Sequence, residues 1–251
     1  MAGAEKLDGK ESTLIYYLVR TFARLIIPLL ARLRTEGIEN IPRTGPVILA
    51  VNHIHWSDIP LASLRVPRIT HYMAKIELFN KPVLGGLIRF LGAFPVRRGE
   101  GDREALRTAE RLLAENKCFV IFPEGHRSES GALIQAHPGA GYIAMRTGAP
   151  IIAVAITGTK QLFKGRYGPW APRVTIRYSK PFTVGQTPGM RPRDSMALAT
   201  DEIMRRIAAM LPPENRGPYA DALPIASGSP SAPASASTPA IPAPPPPDTT
   251  A

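Results

Sequence analysis

Pro46-Val47-Ile48-Leu49-Ala50-Val51-Asn52-His53-Ile54-His55-Trp56-Ser57-Asp58 sets an unbroken apolar run against a polar, histidine-bearing segment. A run of strand length with no polar alternation reads as a strand buried on both faces, as in a parallel sheet covered by helices. The pattern recurs at Cys118-Phe119-Val120-Ile121-Phe122 and at Ile151-Ile152-Ala153-Val154-Ala155-Ile156. Residues 69–73 and 93–96 read as shorter extended pieces, and 174–178 alternate like a more exposed strand. Helical stretches lie between them: a short one from about Asp58 to 64, then 82–91, 102–116, 139–146 and 195–211. In 102–116 the apolar residues Ala105, Leu106, Ala109, Leu112 and Leu113 share one face, and Asp102 or Gly101 can cap it. Strands alternating with helices predict an α/β fold with a mostly parallel central sheet.

The ends of the chain differ in character. Residues 12–33 read as a helix with Leu14, Ile15, Leu18, Phe22, Leu25, Ile26 and Leu29 at three- and four-residue steps. Arg20 and Arg24 stand one turn apart on a polar side, the pattern of a helix lying in a membrane interface, and Pro28 is expected to kink or divide it. Packing on the protein's own core is the alternative. Arginines 20, 24 and 32 interrupt the apolar stretch, so it does not read as a spanning helix, and the N-terminus lacks the pattern of a secretory signal. From Ala222 the chain is mainly Pro, Ala, Ser and Thr, which cannot bury enough surface to offset its ordering entropy. The sequence thus divides into a membrane-associating segment (1–35), a folded domain (36–211) and a disordered tail (212–251).

A formal net charge of +11 in 251 residues favours anionic partners. No zinc-type or RNA-binding motif accompanies it, which puts nucleic acid below phosphorylated metabolites and anionic membrane surfaces. The single cysteine, Cys118, allows no intramolecular disulfide and lies inside an apolar run, where thiols are usually inert.

The chemistry gathers after two of the buried runs. His53 and Asp58 pair a potential general base with a carboxylate that can orient it. On an ideal helix five residues turn through about 140°, so the two meet only if the intervening segment turns irregularly. The competing reading is that Ser57 or Asp58 simply caps the helix entering at Pro60. No Gly-x-Ser-x-Gly elbow is present, so the nucleophile is expected to be the substrate's own hydroxyl, attacking an activated carbonyl such as a thioester. In Phe122-Pro123-Glu124-Gly125-His126-Arg127-Ser128, Gly125 lets backbone approach a ligand and Arg127 offers a planar fork for phosphate. A tight turn with a surface Glu124–Arg127 ion pair would be spelled the same way. Arg97-Arg98-Gly99 adds a second cationic point, or a solvated loop before the next helix.

These residues resemble the lysophosphatidic acid acyltransferases (1-acylglycerol-3-phosphate O-acyltransferases) of the glycerolipid acyltransferase superfamily. Four blocks carry the resemblance, in the family's order, over roughly 36–181. Asn52-His53 with Asp58 resembles the Asn-His-x4-Asp block, and Gly92-Ala93-Phe94-Pro95-Val96-Arg97-Arg98 the second. Residues 122–128 resemble Phe-Pro-Glu-Gly-Thr-Arg-Ser, and Ala149-Pro150-Ile151-Ile152-Ala153-Val154 the hydrophobic fourth block. Lys75 with Glu77-Leu78 is similar to the Lys-x-Glu-Leu stretch.

The resemblance implies that His53 is the general base and Asp58 its partner. Glu124, Gly125 and Arg127 would shape a glycerol-phosphate pocket, with Arg98 and Lys75 as further phosphate contacts. The acceptor would be a lyso-phospholipid and the product phosphatidate. The donor would be acyl-CoA or acyl-carrier protein, with no metal or resident cofactor. The enzyme would sit at the cytoplasmic face of a membrane, peripheral or monotopic. His55 stands where the family commonly has Ser, and His126 replaces Thr. Both departures leave open transfer to another lyso-lipid or a glycolipid. A non-catalytic basic membrane-binding module and a thioester hydrolase are rival readings; the first has no use for a His53–Asp58 pair.

Overall fold

The structure is a computed structural model. It describes residues 10–97, 102–165 and 167–221, with side chains in the first helix from Tyr16 onward. Seven strands form one sheet in the order β1-β7-β6-β2-β5-β3-β4. They span Arg32–Glu36 (β1), Val47–Val51 (β2), Thr70–Lys75 (β3), Ala93–Val96 (β4), Cys118–Ile121 (β5), Ile151–Thr157 (β6) and Arg173–Tyr178 (β7). All neighbouring pairs are parallel except β6 and β7. The helices are Lys10–Leu30 (α1), Asp58–Leu64 (α2), Ile76–Phe79 (α3), Leu84–Phe90 (α4), Arg103–Ala114 (α5), Gly139–Thr147 (α6) and Pro192–Ala209 (α7). This is the α/β fold with a mostly parallel sheet that the apolar runs predict.

β2 shows how the runs divide between two cores. Val47, Leu49 and Val51 join one apolar cluster, while Ile48 and Ala50 join the cluster under α5, α6 and α7. Every residue of β2 is buried, which is why the run lacks alternation. Cys118 is buried in β5, and desolvation pushes its thiol up to about 12. Asp102 caps α5, accepting from the amides of Glu104 and Ala105 at 3.1 Å each.

The expected domain boundaries shift. β1 pairs with β7 along its whole length, so the folded unit takes in Arg32–Glu36 rather than starting at 36. At the other end, 3₁₀ turns at Pro213–Asn215 and Gly217–Tyr219 pack onto the domain, with Tyr219 buried and the Leu133 amide bonded to the Asn215 carbonyl at 2.8 Å. Residues 212–221, expected in the tail, therefore belong to the folded unit, and 222–251 lie outside the described residues.

α1 is one helix, with Pro28 near its end, and it corrects the expected placement of its arginines. Arg20 donates to the Val66 carbonyl at 2.6 Å and Arg24 to the Leu64 carbonyl at 3.0 Å. The Leu64 carbonyl ends α2, where the last carbonyls lack helical partners and a cation opposes the negative end of the dipole, and the Val66 carbonyl lies just beyond it. The basic residues thus turn toward the domain. Tyr16, Ile27 and Ala31 pack inward with them. The outer side is apolar: Leu18, Phe22, Leu25 and Leu29 are 57–69% exposed.

Candidate active site

The parallel strands β6, β2 and β5 lie side by side, and the loops leaving their C-terminal ends meet over one edge of the sheet. This edge is where open α/β sheets ordinarily hold ligands. His53 follows β2 in non-helical backbone, and the chain bends through 54–57 before α2 begins at Asp58. That bend brings His53 Nδ1 within 3.0 Å of Asp58 Oδ2, with both side chains buried. The carboxylate accepts only, so Nδ1 carries the proton and Nε2 is left to take one.

Asp58 has further partners. Oδ2 accepts from the amides of Ile54 at 2.7 Å and His55 at 2.6 Å, and Oδ1 accepts from the Thr159 hydroxyl at 2.6 Å. Its carboxylate therefore reaches back to close the loop. Ser57 occupies the cap position of α2 but makes no side-chain cap bond; its hydroxyl lies 2.8 Å from His55 Nδ1. The arrangement is a tethered His–Asp pair rather than a helix cap.

Glu124, after β5, is fully buried. Its Oε1 accepts from the His53 amide at 2.7 Å and its Oε2 from the Ile134 amide at 3.1 Å. Burial pushes its carboxyl up to about 7, against the pull of those two amides. Among the described residues Glu124 is buried and bonded to backbone amides rather than paired with Arg127, so the reading of residues 122–128 as a turn with a surface ion pair fails. Glu124 acts from behind the site, fixing the backbone that carries His53. The Ser128 amide adds a bond of 2.8 Å to the His53 carbonyl. Asn52 holds the other flank: its side chain donates to the Ile156 carbonyl at 3.0 Å and accepts from the Ile156 amide at 2.7 Å. Gly125 sits at φ +71, and a Cβ there would lie 2.8 Å from the His137 ring.

Arg127 is exposed, and among the described residues it pairs with no carboxylate. It lies close enough to His55 to act on its charge. Burial first, then the neighbouring charges of Arg127 and Lys160, hold the His55 imidazole below its usual pKa despite the opposing Asp58. Lys75 ends β3 at the same edge of the sheet and pairs with Glu77 at 3.0 Å. Arg98 lies outside the described residues. His126 is exposed beside Arg127.

Two contributors escaped the sequence reading. Thr159 touches Asp58 from 101 residues away, and Lys160 follows it beside His55. The available signal was the position of Thr157-Gly158-Thr159, directly after an apolar run whose C-terminal end had to share an edge with His53.

The acyltransferase family model matches residues 32–157, half of the chain and all the loops just described except the turn after β6 that carries Thr159 and Lys160. The chain belongs to the acyltransferase family. A 1-acyl-sn-glycerol-3-phosphate acyltransferase from Bacillus subtilis is 31% identical over 145 residues, covering 56% of this chain and 72% of that one. A lyso-ornithine lipid O-acyltransferase from Pseudomonas aeruginosa is 32% identical over 157 residues, covering 61% of this chain and 58% of its own. The crystal structure of the 1-acyl-sn-glycerophosphate acyltransferase PlsC from Thermotoga maritima superposes with a TM-score of 0.61 at 28% identity, over 80% of this chain and 81% of that one. In this acyltransferase the matched region thus holds both ends of the His53–Asp58 pair and the Glu124 tether.

Proposed function

We propose that the chain moves a fatty acyl group from an acyl-CoA or acyl-carrier-protein thioester to the hydroxyl of 1-acyl-sn-glycerol-3-phosphate, giving phosphatidate. The buried His53–Asp58 pair beside an exposed, unneutralised Arg127 carries this reading. His53 Nε2 takes the proton of the acceptor hydroxyl as its oxygen attacks the thioester carbonyl. Asp58 stabilises the imidazolium. The tetrahedral intermediate then expels the thiolate, which takes the proton back from His53. Arg127 holds the acceptor phosphate, with Arg98 and Lys75 as further cations, and no metal or resident cofactor takes part. The outward apolar side of α1 sits in an anionic membrane at its cytoplasmic face. Among the described residues no helix is long and apolar enough to cross a membrane, which fits peripheral or monotopic attachment.

A second reading keeps the chemistry and changes the acceptor. The lyso-ornithine relative, and His126 beside Arg127 where the family commonly has Thr, favour a different lyso-lipid head group. Purified protein, a labelled acyl thioester and a panel of lyso-lipids, read by product mass, decide between them. Phosphatidate as the main product supports the first reading; acylation of lyso-ornithine lipid alone replaces it; acyl release without any acceptor sinks both. Arg127→Ala should raise the acceptor KM roughly tenfold or more, as expected from losing one charge-assisted bond, and leave the donor KM nearly unchanged. A rise confined to the donor would reassign the arginine.

A further inference from the structure

Two large apolar residues hold backbone conformations that such residues rarely adopt. Val83 has φ +66 and Phe163 has φ +64. Positive φ is costly for a β-branched or bulky side chain, and such strain persists where it serves a purpose. Both residues also stand in solvent, Val83 at 87% exposure and Phe163 at 49%. Both belong to connections that leave the sheet at the edge carrying His53. Val83 comes after β3 and opens α4; Phe163 comes after β6. They therefore flank the catalytic loops on opposite sides.

Each has apolar company. Exposed Leu84 and Leu87 follow Val83 on α4. Phe163 stacks on exposed Trp56, with ring centroids 5.3 Å apart and planes 16° from parallel. Trp56 lies between His53 and Asp58 in sequence, so this aromatic pair sits at the mouth of the site. The apolar rim continues to Trp170, 74% exposed, in a 3₁₀ turn that packs against α1. Cations lie among these residues: exposed Lys81, Arg127 and Lys164 and half-buried Lys160.

We propose that this rim, which adjoins α1 at Trp170, is a second lipid-inserting surface through which the mouth of the site opens into an anionic membrane. Apolar tips beneath a ring of cations complement an interface whose outer layer is anionic and whose inner layer is apolar. Trp at two of the rim positions suits the boundary between them. A rim pressed into the lipid lets an acceptor reach His53 without its acyl chain crossing water. The inference rests on the lipid acceptor proposed above, but its test does not depend on turnover.

The chain contains two tryptophans, Trp56 and Trp170, and both lie on the rim. The full chain carrying Trp170→Phe reports Trp56 alone. Mixed with phosphatidylcholine–phosphatidylglycerol vesicles, its emission should shift to the blue, and brominated acyl chains should quench it. Asn tolerates positive φ, so Phe163→Asn and Val83→Asn keep the backbone and remove the apolar tip. Each should weaken the quenching and raise KM several-fold for acceptor in vesicles, with the rate on a dispersed short-chain acceptor unchanged. Trp56 left unquenched, whether the protein sediments with vesicles or stays in solution, overturns the proposal. So does quenching that both Asn variants leave intact. If Phe163→Asn instead raises KM for the CoA thioester without altering quenching, the aromatic pair belongs to the donor and the lipid surface is rejected. Failure of acyl transfer with quenching intact would remove the proposed reaction and leave the surface standing.

Discussion

At the sheet edge, His53, Asp58, Glu124 and Thr159 are polar and buried; along α1, Leu18, Phe22, Leu25 and Leu29 are apolar and in solvent. Each arrangement reverses the usual placement. In the first, the chain supplies the compensation itself. Asp58 has four hydrogen-bond partners and Glu124 two, so the cost of burial is offset by bonds in a region of low dielectric. In the second, the described residues supply nothing, because the arginines that could have softened the outer face are turned inward. A region complete within the chain is expected to be rigid and sensitive to single changes. A region incomplete within it is expected to tolerate change until its partner arrives.

Substitution should separate the two, and the site should give the larger effects. His53→Ala should lower kcat by about 10²-fold or more with little change in lyso-lipid binding, since general-base catalysis typically supplies 10²–10⁴. Asp58→Asn should be comparably impaired. Near-normal turnover of the alanine variant would break the comparison at its first term.

Glu124 is where the buried cluster is least comfortable. Its carboxyl is raised from the model-peptide range to about 7 in the folded chain, so the folded state binds that proton more tightly than the unfolded one. This contribution favours folding below about pH 4.5 and is lost as pH rises toward 7, by up to about 3 kcal/mol. Denaturant titrations across that window should show the slope, and Glu124→Gln should flatten it. The variant should also be less stable throughout, because its amide sets a donor against a backbone amide. An unchanged slope would mean that Glu124 titrates normally.

Thr159→Val removes one bond to Asp58 and little volume. A hydrogen bond to a buried charge is worth about 1.5–3 kcal/mol, so kcat should fall roughly tenfold with a matching loss of stability. Thr159→Ser should restore both. If Val and Ser behave alike, the hydroxyl is incidental.

The smallest effects distinguish the two sides of α1. Phe22→Ser with Leu25→Ser should weaken sedimentation with vesicles while leaving Tm nearly unchanged. Arg20→Ala or Arg24→Ala should do the reverse, costing about 0.3–1 kcal/mol each, or roughly 1–4 °C in Tm for a domain of this size. Arginine variants that lose vesicle binding at constant Tm would show that the guanidinium groups face the lipid after all.

Much of this was legible in the sequence, and the gaps have physical causes. The runs at 47–51, 118–122 and 151–156 announce strands because they are buried on both faces. β1 was missed because Arg32-Leu33-Arg34-Thr35-Glu36 is a half-exposed edge strand, and its first two residues were read as the end of the helix over 12–33. Periodicity shows which residues of α1 share a face, but not which face meets the domain; that depended on the open carbonyls of α2. The pair His53–Asp58 is local and could be inferred, whereas Thr159 reaches Asp58 only through the order of strands. The proline-bearing turns at 213–219 resemble a tail in composition, yet Tyr219 finds a place in the core.

The block at 122–128 divides its labour in a way that matters for redesign. Glu124 points inward and binds two amides, while Gly125, His126 and Arg127 are exposed. The acid is therefore a foundation, Gly125 is held to its type by its positive φ, and His126 and Arg127 are the replaceable façade. If 126 and 127 meet the acceptor as proposed, its preference can be re-engineered there without loosening His53, whereas a graft from another enzyme that omits the acid would import new recognition onto a mislaid histidine.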